Sequence, residues 1–277
     1  MTLPVLITAC AVAIACATLS VFVVTRRWAF IGEGISHSGF GGAGTAWLVT
    51  LLFPALDPQQ QWMPYVGVIV FCVLTAVAIA YVTRGHGVAV DTAIGIFMVA
   101  SLAWGFVARD VFVRARAGVN PAGWETFLFG NTHALSLPFA VVSVAVCAGI
   151  VATVAVMSKE IVFYCFDPAM AEASGVRAGF VHYLLILLVT CTIIIGSRVV
   201  GTVLVTAMLV LPGATALALS SRLRQAVGTS VVVGLAGTLA GLWAGWRWEF
   251  LDAGPAIVLA LFVIFLGALS WTKARRA

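Results

Sequence analysis

The chain has 277 residues, of which 62% are hydrophobic and only 9% charged, where a soluble domain carries about 25% charged residues. That composition excludes an ordinary soluble globule and predicts an all-α polytopic membrane protein. The net charge of +5 comes from fifteen Lys and Arg scattered between apolar runs, so it reports topology and argues against a nucleic-acid partner.

Nine stretches are long enough to carry a helix across roughly 30 Å of hydrocarbon. They lie near residues 3–24, 38–53, 65–83, 92–108, 137–157, 181–196, 199–219, 226–246 and 254–271. No positive charge precedes the first, and Arg26 and Arg27 follow it, which predicts a retained helix and not a cleaved signal peptide. Between the sixth and seventh stretches only Gly196, Ser197 and Arg198 make the turn. A re-entrant or broken helix at that point would leave eight full crossings, because irregular backbone at membrane depth needs protein or a watery cavity around it. Arg198 must there reach the interface or find a partner, which makes it a candidate for the path or its gate. With "WTKARRA" on the cytoplasmic side and nine crossings, the N-terminus is outside, and ten Lys and Arg face the cytoplasm against five outside. No linker or polar block divides the chain, so residues 1–277 are expected to form one transmembrane domain. The six cysteines show no C-x-x-C spacing and read as small apolar residues.

The second stretch opens with "GEGISHSGFGGAG", in which Glu33 and His37 are four residues apart. On a helix that spacing puts both side chains on one face, about 5–6 Å apart at Cβ. A carboxylate and an imidazole suit Zn²⁺, Mn²⁺ or Fe²⁺. Position just after Arg26 and Arg27 places the pair at or just inside the inner interface. Small residues at four-residue intervals, Ser38 with Gly42 and Gly39 with Ala43, permit close approach of another helix. A second copy across a two-fold axis would complete the ligand set. The spacing by itself fits a simpler arrangement better, an ion pair of Glu33 with Arg27 and a His37 bonded to backbone.

Further along, Asp91 opens the fourth helix and reads as its N-cap, or as a group lining the path. His133, in "LFGNTHALS", stands on the outer side where an incoming ion would pass, and His182 reads as an interface residue near an inner helix end. The longest cytoplasmic loop is about 158–179. In it Asp167-Pro168 starts a short helix that Gly175 ends. Such a helix, carrying Glu172 among small residues, either docks on a soluble partner or merely connects. No G-x-x-x-x-G-K-[ST] run is present, so the chain has no phosphate loop of its own, and H-E-x-x-H is also absent.

Taken in order, these stretches resemble the permeases of metal-ion ABC importers, the ABC-3 family. "RRWAFIGEGISHSGFGGAGTAW" is similar to the family's arginine and G-D-A-x-S-H-A stretch, "VDTAIGIFM" to D-T-A-I-G-I, and "FLFGNTHALS" to L-F-G-N. "FDPAMAEASGV" resembles F-D-P-x-x-A-x-x-x-G-V, "RVVGTVLVTAMLVLPGATALALS" its V-V-G-x-L-L-V helix, and "FLDAGPAIVL" its L-D-x-P-x-G-x-x-I-V-L. The resemblance implies a permease like that of a type II ABC importer in a bacterial cytoplasmic membrane. It implies as partners a second copy of the chain, a cytoplasmic ATPase dimer and an extracytoplasmic metal-binding protein. ATP would bind the partner, with no cofactor in this chain and zinc, manganese or iron as cargo. Glu33 and His37 occupy the family's acid and histidine positions, Glu standing where Asp is common. Phe166, Asp167, Pro168, Glu172 and Gly175 occupy the coupling helix that meets the ATPase. The alternatives are an ion-coupled secondary transporter, which would work without ATP, and an intramembrane metal-dependent enzyme using Glu33 as base.

Overall fold

The computed structural model describes residues 3–53, 62–85, 87–116, 137–220, 222–247 and 253–276. Within them every regular element is a helix. In chain order these are α1 (Leu3–Thr25), α2 (Ile31–Leu52), α3 (Trp62–Gly85), α4 (Val90–Ala115), α5 (Leu137–Val156), α6 (Ser158–Phe166), α7 (Pro168–Ala173), α8 (Ala178–Val200), α9 (Thr202–Leu219), α10 (Leu223–Arg247) and α11 (Ala253–Arg276). Seven of the long helices are apolar enough to cross a membrane by length and composition. The other two long helices are α2, diluted by glycine, and α9, whose apolar stretch Leu204–Leu219 is shorter. The chain is a multi-pass membrane protein.

Helix α1 is the axis. Seventy-two per cent of its apolar window is buried, against 22% for α4 and α11, as expected of a helix that is apolar on every side. It packs on α5, α8, α9 and α10, while α2 lies between α3 and α4, and α8 joins the two groups.

Glycines set the register of α2. A Cβ at Gly42 would stand 2.6 Å from the Gly67 carbonyl oxygen of α3, and one at Gly44 would stand 3.0 Å from that of Gly105 on α4. The small-residue face expected to receive a second copy is therefore filled by α3 and α4 of the same chain. Methyl-free contact lets these backbones close to a distance that larger side chains forbid.

The sixth and seventh stretches are separate helices, broken at one residue. Gly201 has φ +90°, a conformation that favours glycine, and the chain folds back so that Gly196 of α8 meets Val205 of α9. Arg198, in the last turn of α8, lies with its guanidinium 3.8 Å from the Tyr65 ring centroid and 4.3 Å from that of Phe139. Ring faces offer it the electrostatic partner that a membrane-level cation needs. Pro212 lies inside α9, and the Ser20 hydroxyl of α1 accepts the Gly213 N–H at 2.7 Å.

Candidate functional site

The link between α1 and α2 determines where the site begins. Trp28 N–H donates to the Val23 carbonyl and Arg27 N–H to that of Val24, the paired bonds of a Schellman cap. Arg27 takes the left-handed position with φ +59°, where glycine is the usual residue. Trp28 is turned into the core at 1% exposure, and its carbonyl accepts from Ile31 N–H to start α2.

This inward fold sets the depth of Glu33. The Cys72 thiol meets the Ile35 carbonyl at 3.4 Å, and Cys72 stands thirteen residues before Gly85 at the end of α3, a rise of about 20 Å. Glu33 is two residues nearer that end, so it sits about 17 Å inside it. The buried Trp28 connector carries the chain inward before α2 begins.

Glu33 Oε1 and His37 Nε2 lie 2.7 Å apart. Glu33 Oε2 accepts from Thr206 Oγ1 of α9 at 3.3 Å. Glu33 therefore pairs with His37 and Thr206 and not with Arg27, which is exposed. The His37 ring stacks on Phe40 with centroids 5.9 Å apart, and its Nδ1 is buried with no hydrogen-bond partner. The pair still reaches a surface, with side-chain exposures of 36% for Glu33 and 22% for His37. Nearby, Ser36 Oγ is buried without a partner and lines a cavity of about 20 Å³ together with Cys72, Ser197 and Thr202. That space is enough for one water molecule.

Among the described residues no group of three or more His, Cys, Asp or Glu converges on a point. Within one chain the pair thus offers two candidate donor side chains. Asp91 is exposed in the first turn of α4, and Ala89 is the N-cap, with no side-chain capping bond. The reading of Asp91 as the cap is thereby corrected, since the helix begins one residue before it. His133 lies outside the described residues. Arg198 is held between Tyr65 and Phe139 and is not brought to Glu33.

At the end of the bundle where α3 stops, Asp167 Oδ1 accepts the Met170 N–H at 2.9 Å, capping α7. At its other end Val176 N–H bonds the Ala171 carbonyl and Gly175 N–H that of Glu172, with Gly175 at φ +87°. Both termini of a six-residue helix are thus satisfied, which is how so short a helix persists. Phe166 and Met170 are 66% and 56% exposed, and Glu172 meets Arg84 of α3 at 3.6 Å. Phe166, Asp167 and Glu172 therefore stand on an open face, while Pro168 and Gly175 bound the helix.

Sequence reasoning missed one buried polar cluster. His182, in the first turns of α8, is 5% exposed, with Nδ1 2.7 Å from the Tyr164 hydroxyl and Nε2 3.2 Å from Thr83 Oγ1. Arg26 donates to the Tyr164 hydroxyl at 3.2 Å. These four residues come from α6, α8, α3 and the end of α1. The only signal along the chain was polar side chains within apolar runs, which does not reveal their partners.

A half-buried carboxylate and imidazole on a glycine-packed helix, inside a bundle of membrane-crossing helices with a capped helix at one end, describe a membrane transport subunit. The sequence profile of the ABC 3 transport family matches residues 1–272, and the chain belongs to that family. It is 30% identical over 254 residues to the manganese transport system membrane protein MntC of Halalkalibacterium halodurans, covering 92% of this chain and 81% of the relative. It is also 30% identical over 270 residues to a probable iron transport system membrane protein of Haemophilus influenzae, covering 98% and 93%. Among solved structures it resembles PsaBC from Streptococcus pneumoniae, in complex with Fab, with TM-score 0.75 and 30% identity, covering 95% of this chain and 89% of that one.

Proposed function

We propose that the chain is the membrane permease of an ATP-driven importer of a divalent transition metal, with manganese or iron as the cargo and two copies enclosing the path. Relatives that carry manganese and iron in their names support the cargo. ATP is hydrolysed on a separate chain that docks on α7. Basic residues Arg26, Arg84, Lys159, Arg177 and Arg222 at the α7 end support a cytoplasmic placement of that end and an outer N-terminus. A metal-binding protein would deliver the ion on the opposite side.

The observation that carries the reading is the Glu33–His37 pair. A metal bound by one oxygen and one nitrogen at about 2.1 Å each holds those atoms about 3.0–3.4 Å apart. The present separation is 2.7 Å, so the pair need open by only a fraction of an ångström to exchange its shared proton for an ion. Charged groups at this depth require a protein partner or an aqueous cavity, and the part-exposed pair leaves room for ligands from a second copy. Six-oxygen and mixed nitrogen–oxygen sets suit manganese and iron.

The test is uptake of radioactive manganese and iron by the complex with its ATPase in proteoliposomes. Glu33→Gln and His37→Ala are each expected to reduce uptake at least tenfold while ATPase association persists. Wild-type uptake in both variants would overturn the ligand assignment, and uptake by this chain without ATPase or ATP would favour a secondary transporter.

A further inference from the structure

We infer that the Tyr164 hydroxyl is a positioning group that links the α6–α7 segment to the connector from which Glu33 is hung. This rests on the reading of Glu33 and His37 as the metal site, and it assigns a role to a cluster outside that site.

One assignment of protons fits the side-chain contacts of the cluster, with Arg26 Nε and Trp28 Nε1 left buried without hydrogen-bond partners. Arg26 donates to the Tyr164 oxygen at 3.2 Å, the Tyr164 hydroxyl donates to His182 Nδ1 at 2.7 Å, and His182 Nε2–H donates to Thr83 Oγ1 at 3.2 Å. The Thr83 hydroxyl then donates to the Ile79 carbonyl at 2.8 Å. Tyr164 is 4% exposed and His182 5%, so these bonds have little competition from water. Arg26 also lies over the Tyr164 ring at 4.6 Å, and the Trp28 ring meets His182 edge-on at 5.4 Å.

Besides the chain's own continuation into α8, two side-chain links lead from α7 into the bundle, and they differ in stiffness. The Arg84–Glu172 pair is long at 3.6 Å, with side chains 43% and 66% exposed, and such pairs are weak and screened. The other route passes through α6, whose Ile161, Tyr164 and Cys165 are buried. From Tyr164 it reaches Arg26 and, through His182, Trp28. The Trp28 carbonyl starts α2, and Glu33 lies in its first turn. A displacement of α6 is therefore passed through the Tyr164 bonds to His182 of α8 and to Arg26 of the Arg26–Phe30 connector, in which Arg27 is left-handed at φ +59°. Removing the hydroxyl uncouples the two ends without touching either the ATPase face or the metal ligands.

The experiment compares Tyr164→Phe and His182→Gln with the wild-type complex in proteoliposomes, measuring metal taken up and ATP hydrolysed per assembled complex. The expected result is at least a threefold fall in metal moved per ATP in Tyr164→Phe, with ATP hydrolysis retained. His182→Gln, whose amide can still accept from Tyr164, is expected to recover at least half of the wild-type ratio. An unchanged ratio in Tyr164→Phe overturns the inference. Loss of assembly with an unchanged ratio in the complexes that do form also overturns it, because it marks Tyr164 as structural only. Failure of the metal-site reading is scored separately, by uptake in Glu33→Gln.

Discussion

Thr206 Oγ1 lies 3.3 Å from Glu33 Oε2 and 3.1 Å from the carbonyl of Thr202 on its own helix. A hydroxyl has one proton, so it shares that proton between the carboxylate and the α9 backbone. The bond ties α2 to a helix 173 residues away in sequence and restrains the carboxylate in the site. Thr206→Val keeps the shape and removes the donor. Because such a bond contributes about 0.5–1.5 kcal/mol, the metal concentration for half-maximal uptake is expected to shift roughly two- to tenfold, with complex assembly unaffected. Uptake titrations of the two complexes side by side test this.

The α2–α3 contact is intolerant of added volume. Gly42→Ala would place its Cβ 2.6 Å from the Gly67 carbonyl oxygen and 2.7 Å from Val68 Cα, backbone atoms that cannot swing aside. Overpacking of this kind costs typically 1–3 kcal/mol. Thermal unfolding in detergent is expected at a lower midpoint, and an unchanged midpoint would show that α3 can slide.

Ser20 accepts the Gly213 N–H next to Pro212, inside α9. Ser20→Ala deletes that acceptor at a buried site, and loss of one such hydrogen bond costs about 0.5–1.5 kcal/mol. Ser20→Thr retains an oxygen, and comparison of the two unfolding midpoints separates the hydrogen bond from side-chain volume.

At α7, Asp167→Ala removes the N-cap at a typical cost of about 1 kcal/mol. For a helix of six residues that is enough to fray it. The double variant Asp167→Ala with Glu172→Ala is expected to lower recovery of the ATPase in pull-down by several-fold. Undiminished recovery would reduce the segment to a connector.

Burial pushes the Cys165 thiol up to about 12, with the nearby Arg26 charge only partly offsetting it. The thiol stays protonated throughout pH 7–9, so the thiolate that reacts is scarce over that whole range. Maleimide labelling of Cys165 in the folded protein is expected to be slow at pH 7 and still slow at pH 9, and to become rapid on denaturation. Fast labelling of the native chain would show that α6 opens.

The signals legible in the chain were those that act over a few residues. Apolar run length marked the membrane-crossing helices, four-residue spacing put Glu33 beside His37, and Asp167-Pro168 with Gly175 marked both ends of α7. Each depends on helix geometry or on a terminal hydrogen bond that neighbours in sequence can make. The edges of α2 were less legible, because its glycines and its Glu–His pair lowered the apolar signal through which a crossing is recognised.

By itself, then, the sequence determined a bundle of membrane helices, a carboxylate and an imidazole on one helix face, and a short capped helix between α6 and α8. Tertiary structure alone decided that α3 and α4 fill the glycine face, that Thr206 holds Glu33, that Trp28 carries the site deep into the bundle, and that His182 is a buried node. These are contacts between helices distant in the chain. Spacing within one helix says which side chains share a face, but only packing decides which neighbour that face meets.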